Sequence, residues 1–277
     1  MSSILKRFYN GKDYVLDEEA QEVRLLPDFH KELLESPNKF KKFKKFGGSS
    51  IGDVFETDAF KSQFNAFCFI SRLKMPALQM KYINAGVALE PKVVTFMQKI
   101  FPGATIEHIR AEDVEYDYFK NDEIIGGVPD ALVPTHKTVL ELKAVGAKKR
   151  ATWVGGVIPE DYKKQAQLYA YLLGYPYYSI VGTFLEETDY TNYDQVNFLK
   201  QTQMFNFKVN EAMAQDDIKV VKDFWKKYTN LGRSPKYQLP RDKDQVDYLR
   251  CRNEAEWEIL FNSWKEKGKV DENIEFR

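Results

Sequence analysis

Between residues 86 and 185 the hydrophobic period changes from helical to strand-like, back to helical, and to a strand again. That order constrains the fold more than any other feature of the chain. Val93, Phe96, Met97 and Ile100 recur at helical spacing and Pro102-Gly103 closes the stretch, which predicts an amphipathic helix. Pro91 suits the first turn of that helix or a kink in a longer one. Residues 105–109, 114–119, 123–133 and 138–145 follow a strand period, with turn residues at Lys120-Asn121-Asp122 and Pro134-Thr135-His136. The expectation is a meander of three or four antiparallel strands. A loop over 146–158, a helix over 159–173 ended by Gly174, and an apolar strand over 177–185 come next. A further strand is expected over 203–209, and helices over 216–228 and 254–267. Helices and strands arranged around one sheet make an α/β or α+β core.

Before residue 86 the pattern is less regular. One short helix is expected around residues 28–34. In Lys39-Phe40-Lys41-Lys42-Phe43-Lys44-Lys45-Phe46, Phe recurs every third residue, which fits one face of a helix turn with the lysines opposite. Gly47-Gly48 stops it, and Ser49-Ser50 can cap a helix restarting over 51–55. Residues 60–82 read as helical and aromatic-rich, broken near Pro76.

Composition narrows the classes. Of 277 residues 43% are hydrophobic, enough for a sizeable core. Lys+Arg and Asp+Glu both number 41, which excludes a wholly basic nucleic-acid binder and makes any nucleic-acid surface local. Two cysteines, Cys68 and Cys251, supply neither a disulfide framework nor a four-thiolate metal site. The first residues carry no apolar leader segment, and no apolar run approaches membrane length, so a cytoplasmic, reducing-compartment protein is expected.

Three features carry chemistry: Gly127-Val128-Pro129-Asp130, then Val139-Leu140-Glu141-Leu142-Lys143, then the helix holding Tyr162 and Gln165. On a strand, Glu141 and Lys143 share one face, while Leu140, Leu142 and Ala144 share the other. A hairpin between the two strands can bring Asp130 beside Glu141. Adjacent carboxylates repel and need a cation, and hard oxygen ligands suit Mg²⁺ or Mn²⁺. Lys143 beside them can orient or deprotonate a water and offset developing charge.

These motifs resemble the PD-(D/E)XK nuclease superfamily, and most closely its YqaJ-type viral recombinase branch, which includes the phage lambda exonuclease. Pro129-Asp130 and Glu141-Leu142-Lys143 match the signature. Glu90, in Gly86-x-x-Leu89-Glu90, matches the branch's Gly-x-x-x-Glu helix. Gln165 matches its Tyr-x-x-Gln helix, Gly47-Gly48-Ser49-Ser50-Ile51 its Gly-Gly-Ser segment, and Phe224-Trp225 with Gly232-x-x-Pro235 its ending. The resemblance implies a restriction-endonuclease-like α/β core over about 40–235, in which a mixed β-sheet of four or five strands is flanked by helices. Residues 1–39 and the helical stretch 236–277 are additions to what is read as a single domain. It further implies a Mg²⁺-dependent exonuclease acting on double-stranded DNA ends in recombination or repair, with a single-strand annealing protein and a homo-oligomer as partners. Asp130, Glu141, Lys143 and Gln165 form the implied catalytic set, and Glu90, Asp130, Glu141 and Leu142 the metal set. Lys42, Lys44, Lys45 and Ser49 would face the DNA end, with Lys148, Lys149 and Arg150 guiding a strand. Ser50 stands where many members have Asp, and Val128 where a phosphate-binding Ser is expected, which implies a weaker grip on the 5′ phosphate.

Two other readings stay open at this point. One is a RecB-like or endonucleolytic enzyme of the same superfamily. The other is a catalytically silent DNA-binding protein of the same fold, against which the retained acid–lysine set argues. His30, His108 and His136 are too scattered for a zinc site. Cys68 and the aromatic stripe over 169–178 read as core, and the acidic run Glu112-Asp113-Glu115-Asp117 as a solvated strand face.

Overall fold

The computed structural model describes residues 7–276. The first six residues, to which the expectation of no apolar leader applies, and Arg277 lie outside the described residues. In chain order the elements are β1 (Tyr14–Asp17), β2 (Glu22–Leu25), α1 (Pro27–Glu35), α2 (Gly48–Phe55), α3 (Gln63–Ile70), α4 (Lys81–Ile100), β3 (Glu107–His108), β4 (Ala131–Val133), β5 (Thr138–Gly146), α5 (Arg150–Val154), α6 (Glu160–Leu172), β6 (Tyr177–Leu185), α7 (Phe198–Gln201), β7 (Thr202–Lys208), α8 (Glu211–Leu231), α9 (Lys243–Arg250) and α10 (Glu254–Glu266). Among the described residues no helix is long and apolar enough to cross a membrane.

Two compact units emerge from the contacts. One comprises Gly47–Gly52 and Met80–Val220. It is built on a five-stranded sheet of order β3-β4-β5-β6-β7, in which β5 and β6 run parallel and every other pair is antiparallel. The parallel pair follows from the connection: α5 and α6 carry the chain back across the sheet before β6 begins. Every residue of β6 except Tyr177 is buried, which explains its nearly continuous apolar run. On one face, Ala85, Leu89, Val93 and Met97 of α4 cluster with Val181 and Leu185. On the other, Ala166, Tyr169 and Ala170 of α6 cluster with Val139, Tyr178, Ile180 and Phe184. The sheet is thus a mixed one flanked by helices, as the motifs implied. Each large apolar side chain buried in these layers stabilises the fold by about 1.5–3 kcal/mol.

The other unit comprises the described part of Met1–Phe46, with Asp53–Gln79 and Val221–Arg277. A hairpin opens it: β1 pairs antiparallel with β2, Tyr14 opposite Leu25 and Asp17 opposite Glu22. Tyr14, Leu16, Val23 and Leu25 point inward by simple alternation. Tyr14 Oη donates to the Leu249 carbonyl at 3.0 Å, and Ser234 Oγ accepts from Val23 N at 2.9 Å, so the C-terminal segment closes over the hairpin. The Arg7 guanidinium lies 4.0 Å and 4.5 Å from the ring centroids of Tyr248 and Trp257.

Several expected elements differ. Pro91 lies inside a 20-residue helix, so α4 takes the longer of the two forms the sequence allowed. The strand expected over 114–119 is absent: Glu115 and Tyr116 have positive φ, and Arg110 grips Asp113 through two hydrogen bonds, so local side-chain contacts hold a turn. The strand expected over 123–133 shrinks to β4. Asp122 Oδ1 accepts from the amides of Ile124 and Ile125, Gly127 has φ +105°, and Pro129 has no amide to donate. The loop over 146–158 contains α5, whose Trp153 is buried. The Lys39–Phe46 run forms no helix. Arg72 holds it as a turn by donating to the carbonyls of Lys42 (2.6 Å) and Lys39 (2.9 Å), and Phe43 and Phe46 go inward while Phe40 is left exposed. The hairpin β1–β2 and helix α9 went unpredicted.

Candidate active site

The constellation assembles on β5. Val139 packs on the α6 side of the sheet and Leu140 on the α4 side, so alternation turns Glu141 and Lys143 toward α6. Lys143 Nζ donates to Glu141 Oε1 at 2.5 Å and to Gln165 Oε1 at 3.4 Å. It also lies 4.9 Å from the Tyr162 ring centroid. Tyr162 and Gln165 are three apart on α6 and so face the same way. Asp130 ends the loop before β4, and the β4–β5 hairpin carries it back to β5, where its Oδ2 accepts from Leu142 N at 2.6 Å. Glu90 sits on α4, its Oε1 2.7 Å from His108 Nε2.

Glu141 has no exposed surface, and its Oε2 has no hydrogen-bond donor. Besides the Lys143 ammonium on Oε1, the Asp130 carboxylate is within reach, and two acceptors can pair only through a shared proton or a cation. Burial, with the Asp130 charge second, pushes the Glu141 carboxyl up to about 8. Asp130 is also raised, by burial, with Lys143 and the Leu142 amide partly offsetting the effect. Burial works against the charge on Lys143, but Glu141 and Asp130 outweigh it and hold the ammonium above its ordinary value. Lys143 therefore stays protonated here and acts as a donor. Burial raises Glu90 as well, with the His108 bond partly opposing.

This donor set fits a hard divalent cation. A buried carboxylate oxygen without a donor, facing a second carboxylate, is the arrangement that Mg²⁺ or Mn²⁺ satisfies. No three His, Cys, Asp or Glu side chains among the described residues close into a ready cage. A cation here would rest on Asp130 and Glu141, with Glu90 and the main chain of Leu142 nearby. Remaining positions would fall to water or phosphate oxygens, the usual habit of Mg²⁺.

The other sequence-derived residues fall into two groups. Ser49 lies in the same unit as the carboxylates, inside the first turn of α2 rather than at its cap, with its side chain exposed. Ser50, which is buried, makes the backbone bonds instead: Oγ accepts from Gly47 N and donates to the Gly47 carbonyl, both at 2.9 Å. Lys148, Lys149 and Arg150 are exposed where β5 leads into α5 in that unit. Lys42, Lys44 and Lys45 belong to the other unit. There Lys42 is exposed, whereas Lys44 packs its ammonium 4.9 Å from the Phe69 ring centroid and has its pKa lowered by burial and then by Arg72.

Sequence reasoning missed His108, because its partner Glu90 is 18 residues earlier on a helix and no spacing rule links them. The pairing of β3 with β4, which sets His108 opposite Ala131 next to Asp130, is the signal that could have found it. Tyr169 is buried, as its aromatic stripe implies, and its hydroxyl also accepts from Gly48 N at 2.8 Å.

No family model matches the chain. It is similar to the uncharacterized protein MG373 of Mycoplasma genitalium, 26% identical over 88 residues, which is 32% of this chain and 31% of that protein. The chain thus matches less than a third of that relative's length. Among solved structures it is similar to the alkaline exonuclease LHK-Exo of Laribacter hongkongensis. In its complex with dAMP that protein superposes with a TM-score of 0.50 and 16% identity, covering 74% of this chain and 91% of that one. The structure of LHK-Exo described without dAMP gives 0.49 and 14% over the same shares. A phage-related exonuclease from Haemophilus somnus 129PT gives 0.47 and 15%, over 68% of this chain and 94% of its own. The chain has the mixed α/β fold of the LHK-Exo nuclease.

Proposed function

We propose that this chain is a metal-dependent DNA exonuclease of the PD-(D/E)XK type, allied to the YqaJ-type recombinases, hydrolysing phosphodiester bonds at double-stranded ends. The observation that carries the reading is the buried Glu141 carboxylate, one oxygen without a donor, set against Asp130 and a charged Lys143. Burying two carboxylates against a single ammonium costs several kcal/mol, so a structural role alone gives no reason to keep the set. The fold shared with LHK-Exo supports the reading. That protein has been solved with dAMP, and a mononucleotide is what stepwise hydrolysis from a DNA end releases.

Asp130 and Glu141, with Glu90 and the Leu142 main chain, would hold Mg²⁺ or Mn²⁺. Such an ion stabilises charge on the phosphoryl oxygens and lowers the pKa of a water. Lys143, kept protonated, donates to the attacking water or the scissile phosphate and offsets negative charge as it develops. Gln165 fixes the ammonium from the side of α6. Lys148, Lys149 and Arg150 guide the strand by its phosphates, and the exposed Ser49 hydroxyl serves the 5′ end. The role is processing of DNA ends in recombination or repair, handing single strands to an annealing protein.

Linear duplex and closed circular duplex separate this reading from its nearest rival. With Mg²⁺ the linear form should release mononucleotides from its ends while the circle stays intact. Cutting of the circle would move the assignment to an endonuclease.

A further inference from the structure

Helix α6 touches more than the catalytic lysine. Tyr162, Gln165 and Tyr169 lie three and then four residues apart and share one face. The first two address Lys143. Tyr169, 2% exposed, reaches two backbone segments distant in sequence. Its oxygen accepts from Gly48 N at 2.8 Å. Both segments have glycine where the hydroxyl needs room. A Cβ on Gly48 would lie 2.9 Å from the Tyr169 oxygen and 2.3 Å from Gln165 Cγ. A Cβ on Gly127, which has φ +105°, would lie 2.2 Å from the same oxygen and 3.2 Å from Gly47 Cα. The two segments close on one hydroxyl. One leads into Ser49, the other through Val128 into Asp130.

We propose that Tyr169 is a positioning residue: its hydroxyl bonds Gly48 and packs against the Gly127 backbone, clasping the Gly47–Ser49 segment to the Gly127–Asp130 segment, so that the groups facing the strand's 5′ end keep a fixed register to Asp130 and Glu141. This rests on the nuclease reading above for its functional consequence, but the clasp itself does not. Side-chain rings in this cluster already fill the core, with Phe119 stacked 5.4 Å from Tyr169, so Tyr169→Phe removes the Gly48 hydrogen bond while keeping the packing.

The test has three arms on the full chain. Amide hydrogen exchange at residues 47–50 and 127–130 should be faster in Tyr169→Phe than in wild type. The kcat/KM ratio for 5′-phosphorylated over 5′-hydroxyl duplex should fall by about 5- to 10-fold, the scale of one neutral hydrogen bond. Mn²⁺ affinity, read by titration calorimetry, should stay within about twofold, because neither metal carboxylate is touched. Gly127→Ala, which crowds the hydroxyl from the other side, should lower the same ratio. Unchanged exchange overturns the clasp whatever the nuclease does. Faster exchange with an unchanged ratio, or a loss equal on both substrates together with Mn²⁺ affinity, overturns the positioning role. A wild type that degrades neither duplex sinks the nuclease reading instead, a result the exchange arm tells apart.

Discussion

Replacing Glu141 by Gln should make the metal-free protein more stable and the metal-binding protein worse. The carboxyl of Glu141 is raised from an ordinary 4.5 to about 8 by burial and by Asp130. The sign follows from proton counting. Between those two values the unfolded chain has released a proton that the folded chain still holds, so stability falls as pH rises and levels off above about 8. The slope is at most ~1.4 kcal/mol per pH unit. Asp130 and Lys143 titrate with Glu141, which leaves ~2 kcal/mol as a working figure for the whole interval. Gln has no such proton to lose, and its amide can donate to Asp130 where Glu141 Oε2 has no donor. In EDTA, the stability gap between Glu141→Gln and wild type should therefore widen by ~2 kcal/mol from about pH 5 to about pH 8, a relative gain of ~4–8 °C in Tm. Mn²⁺ affinity should fall at least about 100-fold. Urea denaturation at the two pH values measures the first effect and titration calorimetry the second. A gap of the same size at both pH values would refute the reasoning, because the raised carboxyl would then not exist.

Lys143→Met should lower turnover at least about 100-fold while leaving Mn²⁺ binding nearly intact; normal cleavage by this variant would remove the lysine from the mechanism. His108→Ala should free Glu90 and weaken Mn²⁺ binding by about 10-fold, with His108→Gln restoring much of it. Equal affinities across wild type and both variants would make the His108–Glu90 contact incidental. Exchanging Lys148, Lys149 and Arg150 together for Ala should flatten the salt dependence of duplex binding, reducing the log–log slope by about 2–3. An unchanged slope would leave that loop out of the DNA path.

The centre of the fold was legible because its signals are local. The apolar run of β6 coincides with the strand read from sequence, at Tyr177–Leu185, and α6 lies within the expected helix. Alternation alone put Glu141 and Lys143 on one face, and a short hairpin was enough to bring Asp130 close. Legibility failed where distant contacts decide. The Lys39–Phe46 run has helical spacing, but Arg72, 30 residues on from Lys42, holds its carbonyls in a turn. Positive φ at Glu115 and Tyr116 has no glycine to announce it. Ser49 looked like a helix cap, yet α2 begins one residue earlier and the bonded side chain is Ser50. The Tyr169 hydroxyl owes its role to glycines 121 and 42 positions earlier in the chain, a pairing no periodicity encodes.

The proposed activity stands or falls on metal-dependent chemistry at the carboxylate pair. The most direct measurement is release of mononucleotides from an end-labelled linear duplex by wild type and Asp130→Asn, each with Mg²⁺ and with EDTA. Wild type should degrade the duplex only with Mg²⁺, and Asp130→Asn should be slower by at least about 100-fold under the same conditions. Equal activity in EDTA, or an Asp130→Asn variant as fast as wild type, would contradict it.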